Sequence, residues 1–198
     1  MQDDAILQRF SLNQNDLLGY GGESRVYALD DDRVLRVYER GADRAYVDRL
    51  RGFYERLSRY DLPFEIPVVI EIATHDDLLY AIEKRIQGSR MSDFLKAATG
   101  KARTRSLVSY VETANRIQEL PIDADDFGEL LVADSMCRPA WAEYLAAHGR
   151  DSLSRGEADL SQDVPGLQDI VSSWEESLEL VSDVTTPCLV HGDYFPGT

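Results

Sequence analysis

Short runs of β-branched and aromatic residues fill the first part of the chain, and longer apolar stripes at helical spacing fill the rest. Ser24 to Leu29 and Val34 to Tyr38 are separated by Asp30-Asp31-Asp32-Arg33, a turn-forming cluster, so these runs predict a hairpin. Val68 to Ile72 and Leu78 to Ile82 flank Thr74-His75-Asp76-Asp77 and predict a second one. Between the hairpins, from Asp43 to Tyr60, the residues Tyr46, Leu50, Phe53, Leu57 and Tyr60 recur on one helical face, leaving Arg44, Asp48, Arg51 and Glu55 elsewhere on the wheel. From about residue 91 the pattern turns helical. Met91 to Ala98 is short, and Arg105 to Leu120 carries Leu107, Tyr110, Val111, Ala114 and Ile117 before Pro121. Ala140 to Ala147 and Leu167 to Val181 follow, while the Ser-, Asp- and Gly-rich stretch from Gly149 to Gly166 reads as a loop. Strands first and helices afterwards give an α+β chain, which we divide into 1–84 and 85–198.

Composition narrows the function. The 198 residues carry a net charge of -15, with 21 Lys and Arg against 36 Asp and Glu, so the basic footprint needed for nucleic acid or an anionic membrane surface is missing. A cationic small molecule suits this charge better, although acidity also serves solubility. There is no apolar run of membrane-spanning length and no basic-then-apolar leader at Met1-Gln2-Asp3-Asp4. Two cysteines, Cys137 and Cys188, form no disulfide or zinc pattern, so a cytoplasmic setting is the expectation.

Candidate chemistry begins at Gly19-Tyr20-Gly21-Gly22-Glu23-Ser24-Arg25-Val26-Tyr27, which lies between two predicted strands. Glycines there allow positive φ and bring backbone N–H groups close to phosphate oxygens, and a plain glycine-rich hairpin turn would look the same. On the following run Val34 and Arg36 share one face, with Leu35 and Val37 on the other. A guanidinium on that face can grip two phosphate oxygens, or simply be an exposed edge arginine. At the other end Cys188-Leu189-Val190 leads into His191-Gly192-Asp193, with Thr198 five residues beyond the Asp.

The His-Gly-Asp turn, together with the glycine run, resembles the aminoglycoside phosphotransferase and choline kinase-like family, whose pattern is H-G-D-x-x-x-x-N. The resemblance implies a protein-kinase-like two-lobe fold, with a small β-rich N-terminal lobe holding one helix and a mainly helical C-terminal lobe, here incomplete. It implies ATP (or GTP) and Mg2+ as cofactors and phosphoryl transfer to a hydroxyl of a small, cationic acceptor. Residue by residue, Gly19, Gly21, Gly22 and Ser24 would cover the phosphates, Val26 and Val34 would roof the base, and Arg36 would reach the phosphates. Glu83 lies in Tyr80 to Gly88, which resembles the hinge that meets the adenine edge through its backbone. Asp193 would orient the acceptor hydroxyl, and His191 would brace the loop. Thr198 stands where the pattern has a magnesium-binding Asn. The family's later metal-binding Asp has no counterpart here, so the resemblance implies impaired transfer, with a non-catalytic nucleotide-binding or interaction module as the alternative and self-association through surface left open by the missing part. Family folds brace the basic strand residue with a Glu from the inserted helix, for which Glu55 is a poor match and Asp43 serves equally well as a helix cap.

Overall fold

The computed structural model describes residues 3–121, 126–132, 136–181 and 186–190. Two compact units divide at Gly100/Lys101. The first unit is built on five antiparallel strands: β1 (Leu17–Tyr20), β2 (Ser24–Ala28), β3 (Arg33–Tyr38), β4 (Val69–His75) and β5 (Leu78–Lys84), in the spatial order β1-β2-β3-β5-β4. Both hairpins predicted from the alternation are present. In the β2–β3 turn Asp30 accepts from the Asp32 amide at 3.0 Å and pairs with Arg33 at 2.6 Å. In the β4–β5 turn Asp76 and Asp77 take left-handed φ values of 48° and 63°, a conformation that suits the twist of paired strands and that Asp tolerates better than most residues.

Alternation gives the sheet two apolar faces, and a helix covers each. On one face Tyr27, Leu35, Val37, Leu78, Tyr80 and Ile82 pack against Ile6 and Leu7 of α1 (Asp4–Arg9). On the other Tyr38, Ile72, Leu79 and Ala81 pack against α2 (Arg44–Leu57), whose Val47 is 1% exposed. Full burial of a side chain such as Leu35 is worth about 1.5–3 kcal/mol, so these faces stabilise the unit. Helix α2 starts at the Asp43 cap, where Oδ1 accepts from the Ala45 amide at 2.8 Å. It buries Val47 with Tyr46 and Tyr54 alongside, whereas the stripe read from sequence ran on to Tyr60, which lies beyond the helix and is 41% exposed.

Helix α1 leaves no signal in the sequence, because its six residues bury only the adjacent pair Ile6-Leu7 and carry no repeating stripe. A polar clamp fixes it. Asp3, 2% exposed, accepts from the Tyr27 hydroxyl at 2.7 Å and pairs with Arg25 at 3.3 Å. Burial, then the bond to Asp3, pushes the Tyr27 phenol up to about 12. The segment after β5 also belongs to this unit. The Arg85 amide donates to the Asp32 carbonyl at 2.7 Å, and Gln87 Nε2 to the Asp31 carbonyl at 2.7 Å, before α3 (Met91–Ala97).

The second unit holds α4 (Gly100–Gln118), α5 (Trp141–Asp163) and α6 (Leu167–Ser177). Phe127, Trp141, Tyr144 and His148 form a ladder of rings with centroids 5.4 to 5.7 Å apart. The loop expected from Gly149 to Gly166 is instead mostly helix, since α5 continues to Asp163. Tertiary contacts override the weak propensity. The Trp174 ring of α6 lies where a Gly149 side chain would stand, and Arg150 pairs with Glu175 at 2.7 Å. Gly149 therefore serves helix packing and does not mark a chain break. Among the described residues no helix is long and apolar enough to cross a membrane.

Candidate functional site

The β3 face opposite α1 carries a cluster of polar side chains. Register places Val26 opposite Arg36, and Arg36 opposite Ala81, so Ser24, Arg36 and Glu83 come together on one face. Arg36 Nε donates to Glu83 Oε1 at 2.8 Å and Nη2 to Oε2 at 3.0 Å, a two-pronged pair, while Nη1 donates to Ser24 Oγ at 3.1 Å. Glu83 is 5% exposed and Arg36 31%, so the carboxylate is anchored inside while part of the guanidinium reaches outward. Burial alone would lower the Arg36 pKa, but hydrogen bonding and charge from Glu83 win and raise it. Tyr38 and Tyr54 line the same region, both phenols pushed up by burial and then by the Glu83 charge. The Tyr38 hydroxyl is buried without a hydrogen-bond partner among the described residues.

Next to this cluster the chain turns at Gly21-Gly22, closed by the Gly21 amide donating to the Ser24 carbonyl at 3.0 Å. None of Gly19, Gly21 and Gly22 has the positive φ that sequence reasoning offered as their purpose. A side chain on Gly21 or Gly22 would meet nothing within 4 Å among the described residues, so the turn is bare on their account. Gly19 has a different reason: a Cβ there would stand 2.8 Å from Arg90 Nη2, and the same nitrogen donates to the Leu18 carbonyl at 3.4 Å. Ser24 thus ties the glycine turn to Arg36, and Arg90 ties β1 to the start of α3.

The phosphotransferase enzyme family model, APH, matches residues 17–197. The chain belongs to this family. Solved structures with similar folds include the APH(2'')-IIa complex with streptomycin and ATP (19% identity, TM-score 0.58, covering 96% of this chain and 62% of that one). ADP-bound aminoglycoside phosphotransferase APH(2'')-Ib is similar at 18% identity and TM-score 0.60, over 96% of this chain and 62% of that one. The GDP and kanamycin complex of APH(2'')-IIia is similar at 16% identity and TM-score 0.59, over 97% of this chain and 64% of that one. This APH-family chain therefore spans a little over three-fifths of the length of these relatives, and the likeness establishes an α+β, protein-kinase-like fold. No curated relative matches it.

In the APH-family chain the residues assigned from sequence to the nucleotide distribute as follows. Ser24, Val26, Val34 and Arg36 share one sheet face, with Gly19, Gly21 and Gly22 at its β1–β2 end. Glu83, read as a hinge residue, lies inside β5 between Val34 of β3 and Val69 of β4, with its side chain on Arg36. The acidic residues considered as braces are engaged elsewhere: Asp43 caps α2 and pairs with Arg49 at 3.3 Å, and Glu55 pairs with Arg51 at 2.9 Å. Sequence reasoning missed the Glu83 side chain because β3–β5 pairing is not local; alternation with Leu79 and Ala81 was the available signal. His191, Asp193 and Thr198 lie outside the described residues. Among the described residues no cluster of three or more His, Cys, Asp or Glu side chains is placed to hold a metal ion.

Proposed function

We propose that this chain is the nucleotide-binding portion of a small-molecule kinase that moves the γ-phosphoryl group of ATP or GTP to a hydroxyl of a small cationic acceptor. The observation that carries the reading is the outward guanidinium of Arg36, held by Glu83 and Ser24 beside a bare glycine turn. Its unengaged N–H groups would take phosphate oxygens, with backbone amides of the glycine turn alongside. Val26 and Val34 would cover the base. By family resemblance Asp193 would accept the acceptor's hydroxyl proton as its oxygen bonds to phosphorus and the bond to the departing nucleoside diphosphate breaks, with His191 steadying the turn. Magnesium, when bound, supplies charge neutralisation across the phosphates.

The cationic acceptor rests on the net charge of -15 and on exposed acids in the second unit such as Asp126, Glu129 and Glu143. The exposed cysteines Cys137 and Cys188, too few for a disulfide framework, fit a cytoplasmic setting. Exposed Leu107, Val108 and Val111 of α4 are the surface through which self-association would run, read by sedimentation. A second reading, a nucleotide-binding module without transfer, is favoured by Thr198 in place of the pattern's Asn. Titration with ATP and GTP, with and without magnesium, followed by phosphorus NMR with an aminoglycoside acceptor, separates them. Binding with appearance of a phosphate ester supports the kinase; binding without ester supports the module; no nucleotide binding by folded chain rejects both.

A further inference from the structure

The inserted helix offers no brace for the basic strand residue. Each acidic side chain of α2 and its cap is engaged on that helix: Asp43 with the Ala45 amide and Arg49, Asp48 with Arg44, Glu55 with Arg51. What α2 presents toward the Arg36 region is phenol, Tyr46 and Tyr54, joined by Tyr38 of β3. The carboxylate comes from the neighbouring strand. Ladder pairs Val34 to Glu83, Leu35 to Ile82 and Arg36 to Ala81 make Glu83 a diagonal neighbour of Arg36 on the same face, so their separation is fixed by backbone hydrogen bonds. Three contacts from Nε, Nη1 and Nη2 leave a planar guanidinium little freedom to turn.

We infer that Glu83 is the positioning residue of Arg36, and that the aim of the guanidinium is set within the sheet, independently of where α2 lies. The inference rests on the reading above that Arg36 meets nucleotide phosphates. The difference in exposure fits the role: Glu83 is held inside at 5%, and Arg36 keeps an accessible edge at 31%. In a helix-braced arrangement, outward movement of the helix releases the basic residue. Here the same movement uncovers Tyr38 and Val47 but leaves the ion pair intact, so the phosphate-facing cation is constitutively aligned.

Calorimetric titration of the full chain with ATP and with adenosine tests this, because only ATP carries the phosphates Arg36 would hold. Glu83→Gln presents an amide N–H to an arginine N–H, so ATP affinity is expected to fall by roughly tenfold to a hundredfold, the range of one or two charge-assisted hydrogen bonds, with adenosine affinity unchanged. Val47→Ala, which loosens α2 against the sheet, is expected to lower the melting temperature with ATP affinity unchanged. If Glu83→Gln fails to give a wild-type far-UV spectrum, Glu83→Asp keeps the charge while withdrawing the carboxylate, and the same selective loss of ATP is expected. ATP binding that tightens in the Glu83 variants makes the carboxylate a mere opposing charge and overturns the inference; so does unchanged binding, or an equal selective loss in Val47→Ala. Arg36→Ala separates the two readings: if it leaves ATP affinity unchanged, the phosphate-binding role itself fails, whereas loss in Arg36→Ala with none in the Glu83 variants sinks only the positioning role.

Discussion

Asp3→Ala probes the clamp that holds α1 on the sheet. The substitution removes a buried carboxylate that accepts from the Tyr27 hydroxyl at 2.7 Å and pairs with Arg25 at 3.3 Å. The first bond is charge-assisted and buried, worth about 1.5–3 kcal/mol. The second involves an Arg25 side chain that is 35% exposed, and it adds up to about 1 kcal/mol. The expected loss is therefore about 2–4 kcal/mol, a large share of the roughly 5–15 kcal/mol that holds a typical domain. At a slope of about 2 kcal/mol per molar, the urea midpoint of the first unit should fall by about 1–2 M. Both tryptophans, Trp141 and Trp174, lie in the second unit, so hydrogen exchange of peptides covering residues 24–38 reports the first unit while tryptophan emission serves as an internal control. Asp3→Asn keeps an acceptor and should recover part of the loss. Unchanged exchange over β2 and β3, or an equal shift in tryptophan emission, would refute the clamp.

Raising the pH provides a second handle on that clamp. The folded Tyr27 phenol is raised above its unfolded value of 10.0 to about 12, so its contribution is complete below pH 10 and disappears as pH climbs through 12. Alkaline unfolding followed by circular dichroism should show this loss, and Tyr27→Phe should lack it. Gly149→Ala forces a methyl group into the Trp174 ring and should cost about 1–3 kcal/mol by urea titration of tryptophan emission. Gly156→Ala, whose Cβ would meet only Leu160 among the described residues, at 3.4 Å or more, should instead stabilise α5 by about 0.5–1 kcal/mol; equal effects would reject the packing role of Gly149. Tyr38→Phe removes a buried hydroxyl with no partner among the described residues and should leave the melting temperature unchanged or higher, and a fall equivalent to more than about 1 kcal/mol would mean that the hydroxyl is in use.

Local pattern carried most of the first unit. Alternation located β2 to β5, and the Asp-rich turns between them were legible because turn chemistry is short-range. Four features needed the folded chain. Helix α1 has too few apolar positions to leave a period, and its polar anchor, Asp3 on Tyr27, links residues far apart in sequence. Helix α5 carries Gly149, Gly156 and several serines, which look like a loop until Trp174 and Glu175 are seen packed on it. The glycines of the β1–β2 turn were expected to supply positive φ; they supply bare space, and at Gly19 room for Arg90. Glu83 was read through its backbone, while its side chain faces Arg36 because β5 pairs with β3 across 47 residues. The motif that named the family, His191-Gly192-Asp193, lies outside the described residues, so the site rests on the sheet side alone.

In the proposed function Arg36, seated on Glu83 beside the glycine turn, holds nucleotide phosphates. Calorimetric titration of the wild-type chain and Arg36→Ala with ATP reads it most directly. Saturable binding by the wild type is expected, with a loss of roughly tenfold or more in Arg36→Ala with its fold intact, as for removal of a charge-assisted contact. Equal ATP affinity in the two proteins, or no binding by folded wild type, would contradict it.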